Sequence, residues 1–189
     1  WVACTRGLTN DSRSKACTAR NPSSSVLACQ KAAVESTKSA WARCNNQLFH
    51  KMTTQLHTDM GPVINARAQA SIEAHVQRMA ETGHRIYRTQ HPAPTNGTYV
   101  PPTLIEIDKL HTLKREVFGP VLHVLRYRRT ELKDLLQHIN GTGYALTLGV
   151  HSRIDETIAQ VVNGTHAGNV YVNRNMVGAV VGVQPFGGE

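Results

Sequence analysis

Between positions 61 and 173 short apolar runs of strand composition alternate with longer segments whose apolar residues recur at helical spacing, and few folds accommodate that alternation. Thr103-Leu104-Ile105-Glu106-Ile107, Val121-Leu122-His123-Val124-Leu125, Ala145 to Val150 and Asn169-Val170-Tyr171-Val172-Asn173 read as strands. Ile72, Val76, Met79 and Ala80 predict a helix capped by Asn65 and stopped by Gly83. Leu132, Leu135, Leu136 and Ile139 predict a second, capped by Thr130 and ended by Gly141. A third, with Ile154, Ile158, Val161 and Val162, is predicted to open on a Ser152-x-x-Asp155 capping box and close at Gly164. Strands joined through helices need crossover connections, so the pattern predicts an α/β fold: a largely parallel sheet with flanking helices.

The first 50 residues carry no comparable period. Residues 1–25 are rich in Ser, Thr, Asn and Arg, and Asn21-Pro22-Ser23-Ser24-Ser25 reads as a loop. From Ala28 to Phe49 a weak helical face emerges through Ala32, Ala33, Ser36, Ala40 and Trp41. The expected division is therefore a poorly matching segment over 1–50 and a patterned unit over 51–189. With 189 residues and 40% hydrophobic composition, the chain is long enough for one core. No stretch has the apolar length of an export signal or a spanning helix, and a cytoplasmic location is expected. The sequence stops at Phe186-Gly187-Gly188-Glu189, within a glycine-rich loop, so truncation at the C-terminus is expected as well.

Charge and cysteines narrow the function classes. The net charge of +8 is uneven: residues 1–60 hold eight Lys/Arg and three Asp/Glu, a net of +5, and the remainder holds 13 against 10. A nucleic-acid surface concentrates cations on one face and interleaves aromatic rings. Here Trp1, Trp41 and Phe49 are widely spaced, and Arg126, Arg128 and Arg129 read as the solvent side of a strand. Nucleic acid is not the expected partner, and a basic binding module stays as the weaker alternative. Cys4, Cys17, Cys29 and Cys44 form no C-x2-C pair, so no metal site is expected and the thiols are read as reduced.

Two Gly/Pro-marked segments are turn-forming yet apolar. In Glu116-Val117-Phe118-Gly119-Pro120-Val121 a carboxylate and a ring flank a forced turn, a combination suited to vicinal sugar hydroxyls and a flat heterocycle. In Asn173-Arg174-Asn175-Met176-Val177-Gly178-Ala179-Val180-Val181-Gly182, glycines let backbone N–H groups approach an anion such as a carboxylate. The second segment lacks the Lys-Ser/Thr of a P-loop and the spacing of a dinucleotide turn.

In order along the chain, these segments resemble the aldehyde dehydrogenase family. Glu116 to Val121 looks like that family's cofactor-facing motif, and Gln184-Pro185-Phe186-Gly187-Gly188 like its closing substrate-site motif. Thr58 to Ile64, Tyr99 to Leu104, Gly141 to Ile158 and Gly168 to Asn175 are similar, more narrowly, to the L-glutamate γ-semialdehyde (1-pyrroline-5-carboxylate) dehydrogenase domain of bifunctional proline-utilisation proteins. The resemblance runs from about residue 52 to 189 and implies a partial aldehyde dehydrogenase catalytic domain. In the family a cysteine thiolate attacks the aldehyde, hydride passes to NAD, and water activated by a glutamate releases the acid.

The resemblance implies that Glu116 holds the nicotinamide ribose and Phe118 packs near the nicotinamide. It implies that Gly178 and Ala179 donate N–H groups to the carboxylate of the aldehyde substrate and that Phe186 lines the aldehyde pocket. It implies a homo-oligomeric parent protein. The family's Gly-Gln-Arg/Lys-Cys-Ser-Ala nucleophile string is absent. Cys17, in Lys15-Ala16-Cys17-Thr18-Ala19-Arg20, falls near the family's spacing ahead of Glu116 and is the one candidate nucleophile. Val26-Leu27-Ala28-Cys29-Gln30 resembles the strand after the nucleophile, and an ungapped count from it reaches Asn21, so Cys17 requires a short insertion. Cys29 is then a strand cysteine and Cys44 a helix cysteine. The general-base glutamate and the dinucleotide-binding domain are expected upstream of Trp1, so the chain by itself is expected to be inactive. A remnant with only an oligomerisation role is the alternative.

Overall fold

The computed structural model describes residues 2–5, 25–29, 61–89, 96–144, 146–174 and 182–183. Seven strands form one sheet: β1 (Val2–Thr5), β2 (Ser25–Cys29), β3 (Arg85–Arg88), β4 (Thr103–Ile107), β5 (Val121–Arg126), β6 (Thr147–His151) and β7 (Asn169–Val172). Their spatial order is β3-β4-β5-β2-β1-β6-β7. Every pairing is parallel except β3 with β4. The sheet is therefore the largely parallel one that the alternation predicts, and Cys29 is a strand residue as expected. The weak helical face placed from Ala28 onward is corrected at its start, where Ala28 and Cys29 pair with Leu125 and Arg126 of β5; the rest of it lies outside the described residues.

Helix α1 (Ala66–Glu81) forms where the sequence provides both ends of a helix. The Asn65 side chain accepts from the Ala68 N–H at 2.8 Å, satisfying one of the first-turn donors. At the other end Gly83 takes φ +84°. Its N–H bonds Ala80 O, and the His84 N–H reaches back to Met79 O, the paired bonds of a Schellman stop. The buried face is Ile72, His75, Val76 and Met79, at the helical spacing, and it packs into the cluster that contains Val100, Ile105, Ile107 and Val121.

Helices α2 (Leu132–Asn140) and α3 (Asp155–Gly164) carry β5 to β6 and β6 to β7. Leu132, Leu135, Leu136 and Ile139 of α2 and Val161 of α3 enter the same core. The two helix ends are tied by Asn140, whose amide donates to Gly164 O at 2.9 Å and accepts from the His166 N–H at 3.2 Å.

Two predicted caps are corrected. Thr130 lies inside a 3-10 turn, Arg129–Glu131, that precedes α2, and Glu131 closes it by accepting from the Arg128 N–H at 2.8 Å. Ser152 does not cap α3: its hydroxyl accepts from the Ile154 N–H at 3.1 Å, two residues on, and the helix starts at Asp155 after Ile154. Asp155 and Glu156 instead place negative charge in the first turn, where the helix dipole favours it. Arg126 is likewise not a purely solvated cation. It pairs with Glu106 on β4, which Arg85 of β3 approaches at 3.9 Å from the other side, so a charge ladder crosses three strands. Arg128 and Arg129 are exposed. Among the described residues no helix is long and apolar enough to cross a membrane.

Candidate functional site

The connection from β4 to β5 positions Glu116 and Phe118 through what their neighbours bury. Val117 points inward, 8% exposed, while Phe118 is 69% exposed and Glu116 is exposed on the other side of it. Alternation of this kind is what an extended segment lying on a core produces. The loop is pinned at its end: the Thr103 N–H donates to Pro120 O at 2.8 Å and the Val121 N–H to Gly119 O at 2.8 Å. Arg115 reaches Ser71 of α1 at 3.3 Å.

Gly119 is where the loop touches α1. A Cβ there would stand 2.4 Å from Ile72 Cδ1 and 3.1 Å from Cγ1, and Ile72 is a fully packed core residue. Gly119→Ala is therefore expected to destabilise the chain by roughly 1–3 kcal/mol. A urea midpoint equal to that of the unsubstituted chain would show that Ile72 yields without cost.

A second element meets this loop from α2's end. The Glu116 N–H donates to the Tyr144 hydroxyl oxygen at 3.1 Å. Tyr144 precedes β6, as Glu116 precedes β5, so both lie at the amino-terminal edge of the parallel strands. Chain entering β2 arrives at the same edge, with Ser25 against Leu122. Cys17, in the connection from β1 to β2, lies outside the described residues.

At the opposite edge the chain leaves β7 through Asn173, which adopts φ 54°. Its side chain accepts from the Ser152 N–H and donates to Ser152 O, both at 3.0 Å, and its own N–H bonds Val150 O at 2.8 Å. Arg174 then stacks over Tyr171, 4.8 Å from the ring centroid. Gly178, Ala179 and Phe186 lie outside the described residues. Gly182, at φ +80°, and the exposed Val183 are described between them.

The structure thus brings Glu116 and Phe118 together on one clamped loop and adds Tyr144, which sequence reasoning did not single out. The signal for Tyr144 was weak: one aromatic between Gly143 and Ala145. Sequence reasoning also missed a buried pair, His75 Nε2 to His123 Nε2 at 2.9 Å, between α1 and β5. His75 falls at helical spacing among Ile72, Val76 and Met79, which was legible as a polar group on an apolar face.

The comparisons with known proteins give the family and the fold. The sequence profile described as the aldehyde dehydrogenase family matches residues 17–189. The chain belongs to the aldehyde dehydrogenase family. Over 141 residues, 71% of this chain, it is 59% identical to the bifunctional protein PutA of Klebsiella aerogenes and covers 11% of that protein. The delta-1-pyrroline-5-carboxylate dehydrogenase of Agaricus bisporus is 31% identical over 134 residues, 68% of this chain and 24% of the fungal protein. A crystal structure of proline utilization A from Bradyrhizobium japonicum superposes with a TM-score of 0.80 at 43% identity, covering 87% of this chain and 17% of that one. A Thermus 1-pyrroline-5-carboxylate dehydrogenase with bound NAD gives 0.75 at 29% identity, covering 87% and 31%. The chain spans about a tenth of the length of the PutA relatives it matches. The family match begins at residue 17, well before the patterned unit expected from residue 51.

Proposed function

We propose that this chain is part of the catalytic domain of an NAD-dependent dehydrogenase that oxidises L-glutamate γ-semialdehyde to glutamate in proline breakdown. The observation that carries the reading is the β4–β5 loop, which holds a carboxylate and an aromatic ring outward on a backbone fixed at both ends. Relatives named as PutA and pyrroline-5-carboxylate dehydrogenases supply the substrate class.

The exposed residues fit a nicotinamide cofactor. Glu116 is a hydrogen-bond acceptor suited to a pair of ribose hydroxyls, and the 69% exposed Phe118 ring offers an apolar face to a flat heterocycle. NAD, when bound, supplies the hydride acceptor. The chain's own residues divide the remaining tasks: Glu116 orients the ribose, Phe118 excludes water from its face of the ring, and Cys17 is the candidate thiol. Gly178 and Ala179 are the proposed N–H donors to the substrate carboxylate and Phe186 the proposed wall of the aldehyde pocket. We further propose a homo-oligomeric, cytoplasmic parent protein.

The test is NADH production from the semialdehyde. The chain alone is expected to give none. A chimera carrying residues 52–189 in place of the matching stretch of the Escherichia coli PutA relative is expected to turn over, and Glu116→Gln in it to raise the KM for NAD about tenfold, the loss of one charge-assisted hydrogen bond. An inactive but folded chimera, or a Glu116→Gln variant with unchanged KM, would refute the reading.

A further inference from the structure

We infer that Tyr144 is a positioning residue for the cofactor side of this site: its hydroxyl holds the Glu116 backbone and so sets where the Glu116 carboxylate stands. The inference rests on the proposed role of Glu116 and adds the part that fixes its geometry.

The structure builds Tyr144 from below. Helix α2 ends with the Gly141 N–H on Gln137 O at 2.9 Å and the Thr142 N–H on Ile139 O at 3.0 Å. The Thr142 hydroxyl donates to Ile139 O at 2.6 Å and accepts from the Tyr144 N–H at 3.3 Å. Gly143 supplies the left-handed residue between them, at φ +72°. The turn therefore has a fixed shape, and it seats Tyr144 at the rim of a small hollow formed by Ile139, Asn140, Thr147, Leu148, Thr165 and Ala167.

From that seat the phenol crosses to the neighbouring connection and meets Glu116 N. Tyr144 is 56% exposed, so the bond lies at the surface and contributes little to holding the fold. What it does fix is orientation. Val117 is anchored inward on one side of Glu116, and the Tyr144 oxygen anchors the amide on the other, so the Glu116 backbone is held at consecutive positions while its side chain projects outward. A carboxylate so held loses less freedom when it accepts hydrogen bonds from a diol, which is the physical content of preorganisation.

The test removes the oxygen and keeps the ring. In this chain, Tyr144→Phe is expected to raise the solvent-exchange rate of the Glu116 amide, measured by NMR, by about tenfold, with the β5 amides and the urea midpoint unchanged. In the chimera described above it is expected to raise the KM for NAD about three- to tenfold, with kcat and the aldehyde KM within about twofold, as one neutral hydrogen bond allows. Thr142→Val, which loosens the turn and leaves the phenol intact, is expected to move both readouts in the same direction by a smaller factor. An unchanged Glu116 exchange rate in both variants would overturn the inference. Faster exchange with unchanged KM for NAD would overturn the positioning role, provided Glu116→Gln still raises that KM. If Glu116→Gln leaves it unchanged too, the failure belongs to the role assigned to Glu116 and not to the tether.

Discussion

Acidification from pH 7 to pH 4 is expected to remove on the order of 6 kcal/mol of stability through one buried pair, His75 and His123. The two rings meet edge to face, centroids 5.1 Å apart, with Nε2 to Nε2 at 2.9 Å. Arg78 approaches His75 Nδ1 at 3.3 Å, and a guanidinium only donates. His75 Nδ1 must then accept, its proton sits on Nε2, and that proton is given to His123 Nε2. Both rings are therefore neutral in the folded chain, and a further proton on either would break one of these bonds.

Burial agrees with the bond geometry. Desolvation, with Arg78 and Arg115 adding to it, lowers His75 from 6.5 to about 4. Desolvation followed by His75 itself lowers His123 from 6.5 to about 3. A folded pKa below the unfolded one means that the unfolded chain binds more protons between the two values. The stability is present above about pH 6.5 and drains away as the pH falls toward 4 and then 3. Carboxylates titrate across part of the same window, so the comparison that isolates the pair is a urea titration series against a His75→Leu/His123→Leu double variant. The original chain should lose stability more steeply between pH 6.5 and 4.5; parallel curves would show that the histidines are not neutral in the fold.

How much of this was legible in the sequence depended on whether the signal was local. Helix α1 was readable at both ends because Asn65 and Gly83 act on backbone groups within a few residues of themselves. Strands β4 and β5 were readable because both are nearly continuous apolar runs, as strands covered on both faces are. β1 and β2 were not. Val2-Ala3-Cys4-Thr5 and Ser25-Val26-Leu27-Ala28-Cys29 are short and partly polar, and what makes them strands is pairing with β6 and β5, more than ninety positions away. The site followed the same rule. The Glu116 loop was marked by its own glycine and proline, whereas Tyr144 becomes visible only once two connections arrive at the same sheet edge. Ser152 misled because its hydroxyl had a nearer acceptor role, two residues on, and because its backbone was already taken by Asn173.

That last contact carries the other large expected effect. Asn173→Ala should cost roughly 3 kcal/mol, and Asn173→Gly roughly 2 kcal/mol, and the difference between them is the test. Asn173 does two separable things. Its amide satisfies both the N–H and the C=O of Ser152, a buried residue whose backbone groups would otherwise be left without those partners. Its backbone sits at φ 54°, the left-handed region that asparagine tolerates, glycine adopts freely and alanine resists. Glycine therefore loses the amide bonds alone, and alanine loses the bonds and adds the backbone strain. Asn173→Asp keeps an acceptor for the Ser152 N–H but turns a second oxygen toward Ser152 O, so it should fall near alanine. The consequence for function follows from position: among the described residues Asn173 makes the last backbone hydrogen bond to the sheet before the stretch carrying Gly178 and Ala179. Under the proposed reading, loosening that tie in the chimera should raise the aldehyde KM while leaving the KM for NAD within about twofold, since Glu116 hangs from β5 and not from β7. Equal stability losses for glycine and alanine would show that the left-handed turn is not retained, and a KM for NAD that rises with the aldehyde KM would show that the two ends of the sheet do not act separately.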